Sequence, residues 1–406
     1  MSKTSERAGS VRGKRKNPPR TSFLGPVVLF GVLVIVASLS YRSFRSSSAP
    51  PVQTNASATP PAIPTAASTT ITPSPAPNVD PQLLVSTLAA LDGKEPITPA
   101  QSQKWNDSLH QLIRQGSSSV QPIQRFLAQN LDANYAGVSG ADQLGYNSLR
   151  SALLAALVQI GGPEATAAML QTLQTSIYPT DVAAIAKTLE AQSPGQFQQD
   201  ILNSVRQQLS LAAMDQLAGA NVGPLFQVLA NIGAAGGSVE GDLAQYAEKW
   251  PYYAVIALTT LPNNAGAPAL IQIADGTLSG NQTVAGQALA ELAPQNPDAL
   301  NALLALIKSG QLNESSLAQL APFLGGRQYQ LTPPANPALS GYMTFHIAVG
   351  DQDFSSHDSD SFTAPQLARR ISIIDEVMAV VPAADASAQD TLQKQKDSLT
   401  ARQPSH

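Results

Sequence analysis

Residues 156–173 read ALVQIGGPEATAAMLQTL, and they carry the clearest structural signal in the chain. Leu157 and Ile160 are three residues apart, which places them on one face of a helix. Gly161, Gly162 and Pro163 then interrupt the pattern, and apolar residues resume at helical spacing up to Leu173. The stretch therefore predicts two short helices joined by a tight turn.

The same pattern recurs further along the chain, each time followed by a turn rich in Gly, Pro or Asn and by a second apolar helix. It begins at Leu229, Leu258 and Leu289, and Leu317 begins the first helix of one more unit. These starts are 29, 31 and 28 residues apart. The 72 residues from 157 to 229 leave room for two further units, with a plausible start at Ala186. A period of this size built from two helices predicts an α-solenoid, whose second helices we expect to line a concave surface.

Three of these stretches resemble the HEAT-repeat family, and most of all its short type known from phycobilin-lyase-like proteins. They are residues 156–173, residues 257–274 (ALTTLPNNAGAPALIQIA) and residues 288–307 (ALAELAPQNPDALNALLALI). Arg150 and Glu164 match the family's Arg early in the first helix and its charge after the turn, whereas the later units lack the Arg. The resemblance covers residues 145–325. It implies an all-α fold of stacked helical hairpins, a HEAT-like α-solenoid, and indicates little about activity.

The flanking regions complete the predicted helical domain. Residues 81–144 are expected to form an N-terminal helical cap and residues 366–400 a C-terminal one, while residues 326–365 are interpreted as a loop-rich insertion. Within the insertion, Tyr342–Val349 (YMTFHIAV) is the one run that resembles a strand. Trp250 and Tyr253 belong to the densest aromatic group, which we expect to pack in the core. The glutamine-rich stretches, which include Gln198 and Gln208, are interpreted as neutral surface, suited to binding a peptide or a glycan if they line the concave side.

The N-terminal region predicts a membrane anchor. The 21 residues between Arg20 and Arg42 carry no charge, and at about 1.5 Å per residue a helix of this length spans a bilayer. Because seven basic residues precede the stretch, the positive-inside rule predicts a cytoplasmic basic tail at residues 1–22 and a transmembrane signal-anchor at residues 23–41. A cleaved signal peptide is the main alternative, and a buried core helix is a second one.

A spacer is expected between this anchor and the helical domain. Residues 42–80 are rich in Pro, Ser, Ala and Thr and have little to bury, which predicts a disordered stalk. Residues 81–406 carry a net charge of −11, so we expect no binding to nucleic acid. The chain has no cysteine, which excludes disulfides, thiolate metal sites and cysteine nucleophiles.

The insertion also holds the one polar cluster that suggests chemistry. His and Asp side chains at this density can bind a divalent cation, and the weak metal candidates are His346, Asp351, Asp353, His357 and Asp360, with Asp358 beside them. A solvated loop with local hydrogen bonds is the alternative interpretation of the same residues. We predict neither catalytic nor cofactor-binding residues, since the chain lacks the common nucleophile, zinc-protease and phosphate-loop motifs.

These features together predict a membrane-tethered extracytoplasmic α-solenoid that acts as a protein-binding scaffold or adaptor. Its partner would be another protein, within the cell envelope, and residues 23–41 would contact the membrane. The alternative is an envelope enzyme, a hydrolase or a lyase-like protein, whose helical domain binds the substrate. A second alternative is a structural spacer.

Overall fold

The computed structural model describes residues 79–217, 220–331, 343–345, 354–359 and 361–403. The predicted basic tail, the predicted transmembrane segment at residues 23–41 and nearly all of the predicted stalk lie outside these ranges. Within them the chain is mostly helical, with sixteen α-helices and three short strands. The all-α prediction is therefore confirmed for the described part of the chain.

The helices follow one another with short connections. Their bounds are α1 Pro81–Ala89, α2 Pro99–Arg114, α3 Val120–Ala128, α4 Leu149–Ile160, α5 Gly162–Thr175, α6 Pro179–Gln192, α7 Gln198–Ala213, α8 Gly223–Ala234, α9 Glu240–Gln245, α10 Pro251–Thr259, α11 Ala267–Ala274, α12 Gln282–Leu292, α13 Pro297–Lys308, α14 Glu314–Leu324, α15 Ala364–Met378 and α16 Ala386–Ala401. None of the helices in the described ranges is both long enough and apolar enough to cross a bilayer.

The three strands form one small antiparallel sheet between α14 and α15. They are β1 Arg327–Gln330, β2 Met343–Phe345 and β3 Phe354–Asp358, in the order β1-β3-β2. The insertion is predicted to be loop-rich with one strand-like run, Tyr342–Val349, and β2 lies within that run, whereas β1 and β3 are not predicted. Because β1 (RQYQ) and β3 (FSSHD) are short, polar and poor in β-branched residues, they lack the usual signal of a strand.

Helix contacts follow a regular alternation. We call the even-numbered helices the first helices and the odd-numbered ones the second helices. Each first helix from α2 to α14 contacts the next first helix along the chain, and each from α4 to α14 also packs against the second helix that follows it. The second helices likewise contact one another from α1 to α7 and from α11 to α15. The hairpins therefore stack in sequence order, and the predicted caps follow the same alternation.

The repeat starts found in the sequence all fall within first helices, namely α4, α6, α8, α10, α12 and α14. The interval from residue 157 to 229 leaves room for two further units, but its described residues hold one further hairpin, α6 with α7. The spacing between the starts of successive units is longer here because α7 has 16 residues and a further connection leads from it to Gly223 at the start of α8. Period alone does not separate one long hairpin from two short ones.

Asparagine side chains fix where three consecutive helices begin. Asn281 accepts a hydrogen bond from the backbone N–H of Val284 at the start of α12, at 3.1 Å. Asn296 and Asn313 play the same part at α13 and α14, where they accept from backbone N–H groups two or three residues on. These bonds satisfy backbone N–H donors that lack a partner inside the helix, so the Asn residues determine where along the chain each of the three helices begins.

A buried ion pair links the hairpins at the N-terminal end of the stack. Arg150 on α4 is 1% exposed, and its Nε donates to Asp181 Oδ2 on α6 at 2.7 Å. Its Nη1 also donates to the carbonyls of Leu127, in the last turn of α3, and Leu131, after α3, at 2.9 and 3.2 Å. Arg150 therefore joins three successive hairpins, which gives the Arg noted in the sequence a structural role.

A close approach of two backbone segments explains one glycine between α10 and α11. A Cβ added to Gly266 would lie 2.2 Å from the carbonyl oxygen of Leu258, whereas one added to Gly241 on α9 would meet nothing within 4 Å. We expect Gly266→Ala to lower the free energy of unfolding by about 1–3 kcal/mol, because the backbone must shift to admit the methyl group. Chemical denaturation of the two variants measures this, and a loss of the same size in the Gly241→Ala control would contradict it.

Candidate functional site

The predicted metal cluster is only partly within the described residues. His346, Asp351, Asp353 and Asp360 lie outside them, while His357 and Asp358 belong to β3. Asp358 accepts two hydrogen bonds from Arg327 on β1, from Nε at 2.8 Å and from Nη2 at 3.0 Å, and His357 lies opposite Gln328 in the sheet. Within the described ranges no three His, Asp or Glu side chains are grouped closely enough to hold a metal ion. The metal site remains an untested prediction.

A groove of about 770 Å³ lies between α6 and α8. Its floor is formed by small and branched apolar side chains, among them Ala183, Ala184, Pro224, Val228 and Ile232. The turn before α7 closes one side with Pro194 and Gly195, and Leu331, directly after β1, closes another. A cavity of this size and lining is typical of a binding site.

The groove continues along the neighbouring first helices. Ala184 also lines a cavity of about 360 Å³ between α4 and α6, whose wall includes the exposed Val158. Gln227, Asn231 and Leu331 also line a cavity of about 320 Å³ that reaches α10 and β1. The three cavities share lining residues, so we describe them as one surface, the first-helix groove, from α4 to β1.

The central cavity has few polar groups, and the net charge of its lining is close to zero. Lys187 and Glu190, one turn apart on α6, are its ionisable residues, and Glu190 accepts a hydrogen bond from the backbone N–H of Gly195 at 3.0 Å. The amides of Gln198, Asn221, Gln227 and Asn231 supply the other polar atoms. Amide side chains both donate and accept hydrogen bonds, which suits them to the peptide groups of an extended chain.

Sequence reasoning placed the binding surface on the second helices, whereas this groove is lined mainly by the first helices. Gln198 does line it, but Gln208 is 3% exposed and donates to the carbonyl of Ser176, so it is not a surface residue. Trp250 and Tyr253 are buried against Phe226, as expected. No local motif marks Lys187, Asn231 or Leu331, because the groove joins residues that are far apart in the sequence.

Tyr329 fixes β1 against the first helices at the end of the groove. Its hydroxyl donates to Gln287 Oε1 on α12 at 3.2 Å, and Gln287 in turn donates to Gln319 Oε1 on α14 at 3.1 Å. The ring packs against Phe323 with centroids 4.8 Å apart and meets Tyr252 edge-on at 6.4 Å. Burial raises the pKa of Tyr329 to about 12, so its hydroxyl stays protonated and can donate.

Glu291, also on α12, lies beneath the same strand. The backbone N–H of Tyr329 donates to its carboxyl group, yet the buried Oε2 atom has no hydrogen-bond partner in the described structure. Burial raises the pKa of Glu291 to about 8, and the Tyr329 N–H and the charge of Arg370 only partly oppose that shift. Sequence reasoning missed this residue, although a glutamate in the otherwise apolar run of α12 is a signal that could have marked it.

Comparison with protein-family models, with curated proteins and with solved structures finds no match. The class of the described domain therefore follows from its own geometry, as a mostly helical stack of hairpins with an apolar groove between α6 and α8.

The raised pKa of Glu291 makes stability depend on pH. The folded chain holds the proton of Glu291 more tightly than the unfolded chain does. The contribution of the neutral carboxyl group to the free energy of unfolding is therefore fully present below pH about 4.5. It is lost as the pH rises through about 8. We expect Glu291→Gln to remove this dependence and to raise the free energy of unfolding at pH 9 by on the order of 3 kcal/mol relative to the natural chain.

Denaturation midpoints measured from pH 5 to 9.5 test this expectation. Glu95→Gln, which changes an exposed glutamate, should keep the pH profile of the natural chain. An unchanged slope between pH 5 and 8 in the Glu291→Gln variant would show that another group titrates.

Proposed function

We propose that this chain is a membrane-tethered HEAT-like α-solenoid that acts as a protein-binding scaffold, with the first-helix groove as its binding surface. The single observation that carries the proposal is the continuity of this groove across α4, α6, α8 and β1. The stacked alternation of first and second helices supports the solenoid interpretation, because each hairpin contacts its sequence neighbours and buries its apolar face against them.

The shape of the groove favours an extended protein segment as its occupant. Packed helices are roughly 8–10 Å apart, so the three steps from α4 to α10 cover roughly 25–30 Å. An extended chain rises about 3.3 Å per residue, so this length corresponds to about eight residues. A compact small molecule would fill the central cavity alone.

The chemistry of the groove favours a segment without net charge. Its central part holds one cation, Lys187, and one carboxylate, Glu190, against a mostly apolar floor. A strongly charged partner would lose hydration there without gaining a matching charge, whereas apolar side chains and peptide groups would find complementary surfaces. The proposed partner is therefore an apolar, uncharged extended segment of another envelope protein.

The membrane tether and the extracytoplasmic location rest on residues 1–45 and on the positive-inside rule. The enzyme alternative requires a nucleophile and a base that converge on bound substrate, and the structure offers Lys187 and Glu190 as the ionisable groups of the central cavity. The spacer alternative requires no groove. The binding experiments below distinguish the enzyme and spacer alternatives from the scaffold.

A groove variant tests the binding surface. Ala184 is exposed and lines two of the three cavities, so Ala184→Arg should fill the groove without disturbing the core. Ala167 is exposed on the second helix α5, which makes Ala167→Arg a matched control. A photoreactive residue at position 184 of the full-length chain in native membranes first identifies the bound segment by mass spectrometry.

A synthetic peptide of that segment is then titrated by fluorescence anisotropy. We expect Ala184→Arg to weaken binding at least tenfold and Ala167→Arg to leave it unchanged. Cross-linking only to a lipid or a small metabolite, or equal binding by both variants, would contradict the proposal.

The tether is tested separately by membrane extraction. We expect the full-length chain to resist alkaline carbonate and to dissolve in detergent, while a chain without residues 1–45 dissolves without detergent. Release of the full-length chain by carbonate alone would refute the anchor and leave the groove proposal intact.

A further inference from the structure

We propose that the Glu291 carboxyl is a proton-dependent anchor for β1, and that loss of its proton releases the strand that forms one wall of the first-helix groove. The regulation of the groove rests on the function proposed above, whereas the anchor itself does not. The anchor is inferred from a cluster that joins α12, β1 and α15 and consists of Glu291, Tyr329, Gln287 and Arg370.

The position of β1 connects the cluster with the groove. Tyr329 and Gln330 line the cavity next to α8 and α10, and Leu331 lines both that cavity and the central one. Tyr329 is also the residue whose backbone N–H bonds to Glu291 and whose hydroxyl bonds to Gln287. A shift of Tyr329 away from α12 therefore moves the groove wall.

The carboxyl group costs less free energy in this position when it is neutral than when it is charged. Its Oε2 atom is buried and lacks a hydrogen-bond partner among the described residues, so a negative charge there would be poorly compensated. The positive charge of Arg370 acts on Glu291, but the Nη1 atom of Arg370 donates to the carbonyls of Phe323 at 3.4 Å and Leu324 at 2.8 Å. Its guanidinium also lies over the ring of Phe362, 4.5 Å from the centroid.

Arg370 therefore serves the C-terminal end of α14, and the ion pairs found in the described structure do not join it to Glu291. Arg370 is 7% exposed, and this burial lowers the pKa of its guanidinium. An ionised Glu291 can lower its free energy most readily by admitting water, and water reaches it by the outward movement of β1.

Other titratable groups near α12 do not replace this partner. Tyr252 on α10 meets the ring of Tyr329 edge-on, and α11 has no titratable side chain. Asp298 and Lys308 lie at opposite ends of α13 and are exposed, and the exposed Glu314 at the start of α14 accepts from the backbone N–H of Ser387. Arg327 on β1 is paired with Asp358 on β3, so burial, the Tyr329 backbone N–H and the charge of Arg370 are the influences on the pKa of Glu291.

The absence of cysteine from the chain allows a direct test. Spin labels on Leu331→Cys and Ala167→Cys report the distance from the groove wall to α5 in the full-length chain, measured by pulsed electron resonance from pH 6 to 9.5. We expect a longer or broader distance distribution above pH about 8, and we expect the Glu291→Gln variant to keep the low-pH distribution throughout. Labels at Ala167→Cys and Lys308→Cys, both on second helices, form the control pair that should not respond to pH.

Hydrogen exchange of the Tyr329 amide in the unlabelled natural chain provides a second measurement that needs no substitution. After correction for the intrinsic pH dependence, its protection should fall at least tenfold between pH 6.5 and 9.5, while that of amides in the core of α10 stays constant. A pH-independent distance together with constant protection would overturn the anchor.

These outcomes separate the two proposals. If the strand responds to pH but no protein segment binds at position 184, the anchor holds and the scaffold function fails. If a segment binds and the strand does not respond, the function holds and the anchor fails.

Discussion

Burial of the central first helices α8, α10 and α12 on nearly all sides is the constraint on which the rest of this structure depends. Each of the three packs against its own second helix and against the first helices before and after it, so little of its surface remains for solvent. In α10 the six residues Tyr253–Leu258 are all buried, and in α12 the seven residues Val284–Ala290 are. Such helices need small side chains where they approach one another, which explains their frequent Ala, and Gly266 after α10 meets the Leu258 backbone in the same way.

The same constraint explains how far the sequence predicts the fold. The pattern at Leu157 and Ile160, with the turn that follows, correctly predicted α4 and α5, and the starts at 229, 258, 289 and 317 all fall within first helices. It did not predict β1 or β3, because strands of four and five polar residues owe their conformation to pairing and to Tyr329 rather than to propensity. The length of the hairpin of α6 and α7 was not predicted because the period carries no information on helix length.

The candidate site was less predictable than the fold. The groove exists because α6 and α8 leave space between their exposed faces and because Leu331 reaches across from a strand about a hundred residues later in the chain. Neither fact appears as a local pattern. Glu291 carried a signal, a single acidic residue in an apolar run, but amphipathic reasoning assigns such a residue to the solvent face. Only the packing of β1 over α12 converts it into a buried group.

Among the described residues, two carboxyl groups withdrawn from solvent have opposite consequences. Asp181 accepts from Arg150 and from Ser176 Oγ, so its charge is compensated and the pair ties hairpins together. Burial raises the pKa of Asp181 as well, but Arg150 opposes that shift directly, and loss of either partner would leave a buried charge unpaired. Glu291 has a backbone donor and a distant guanidinium, which is too little to stabilise its charge. The difference between a structural ion pair and a proton-sensitive contact is therefore one of donors within hydrogen-bond distance, since burial raises the pKa of both carboxyl groups.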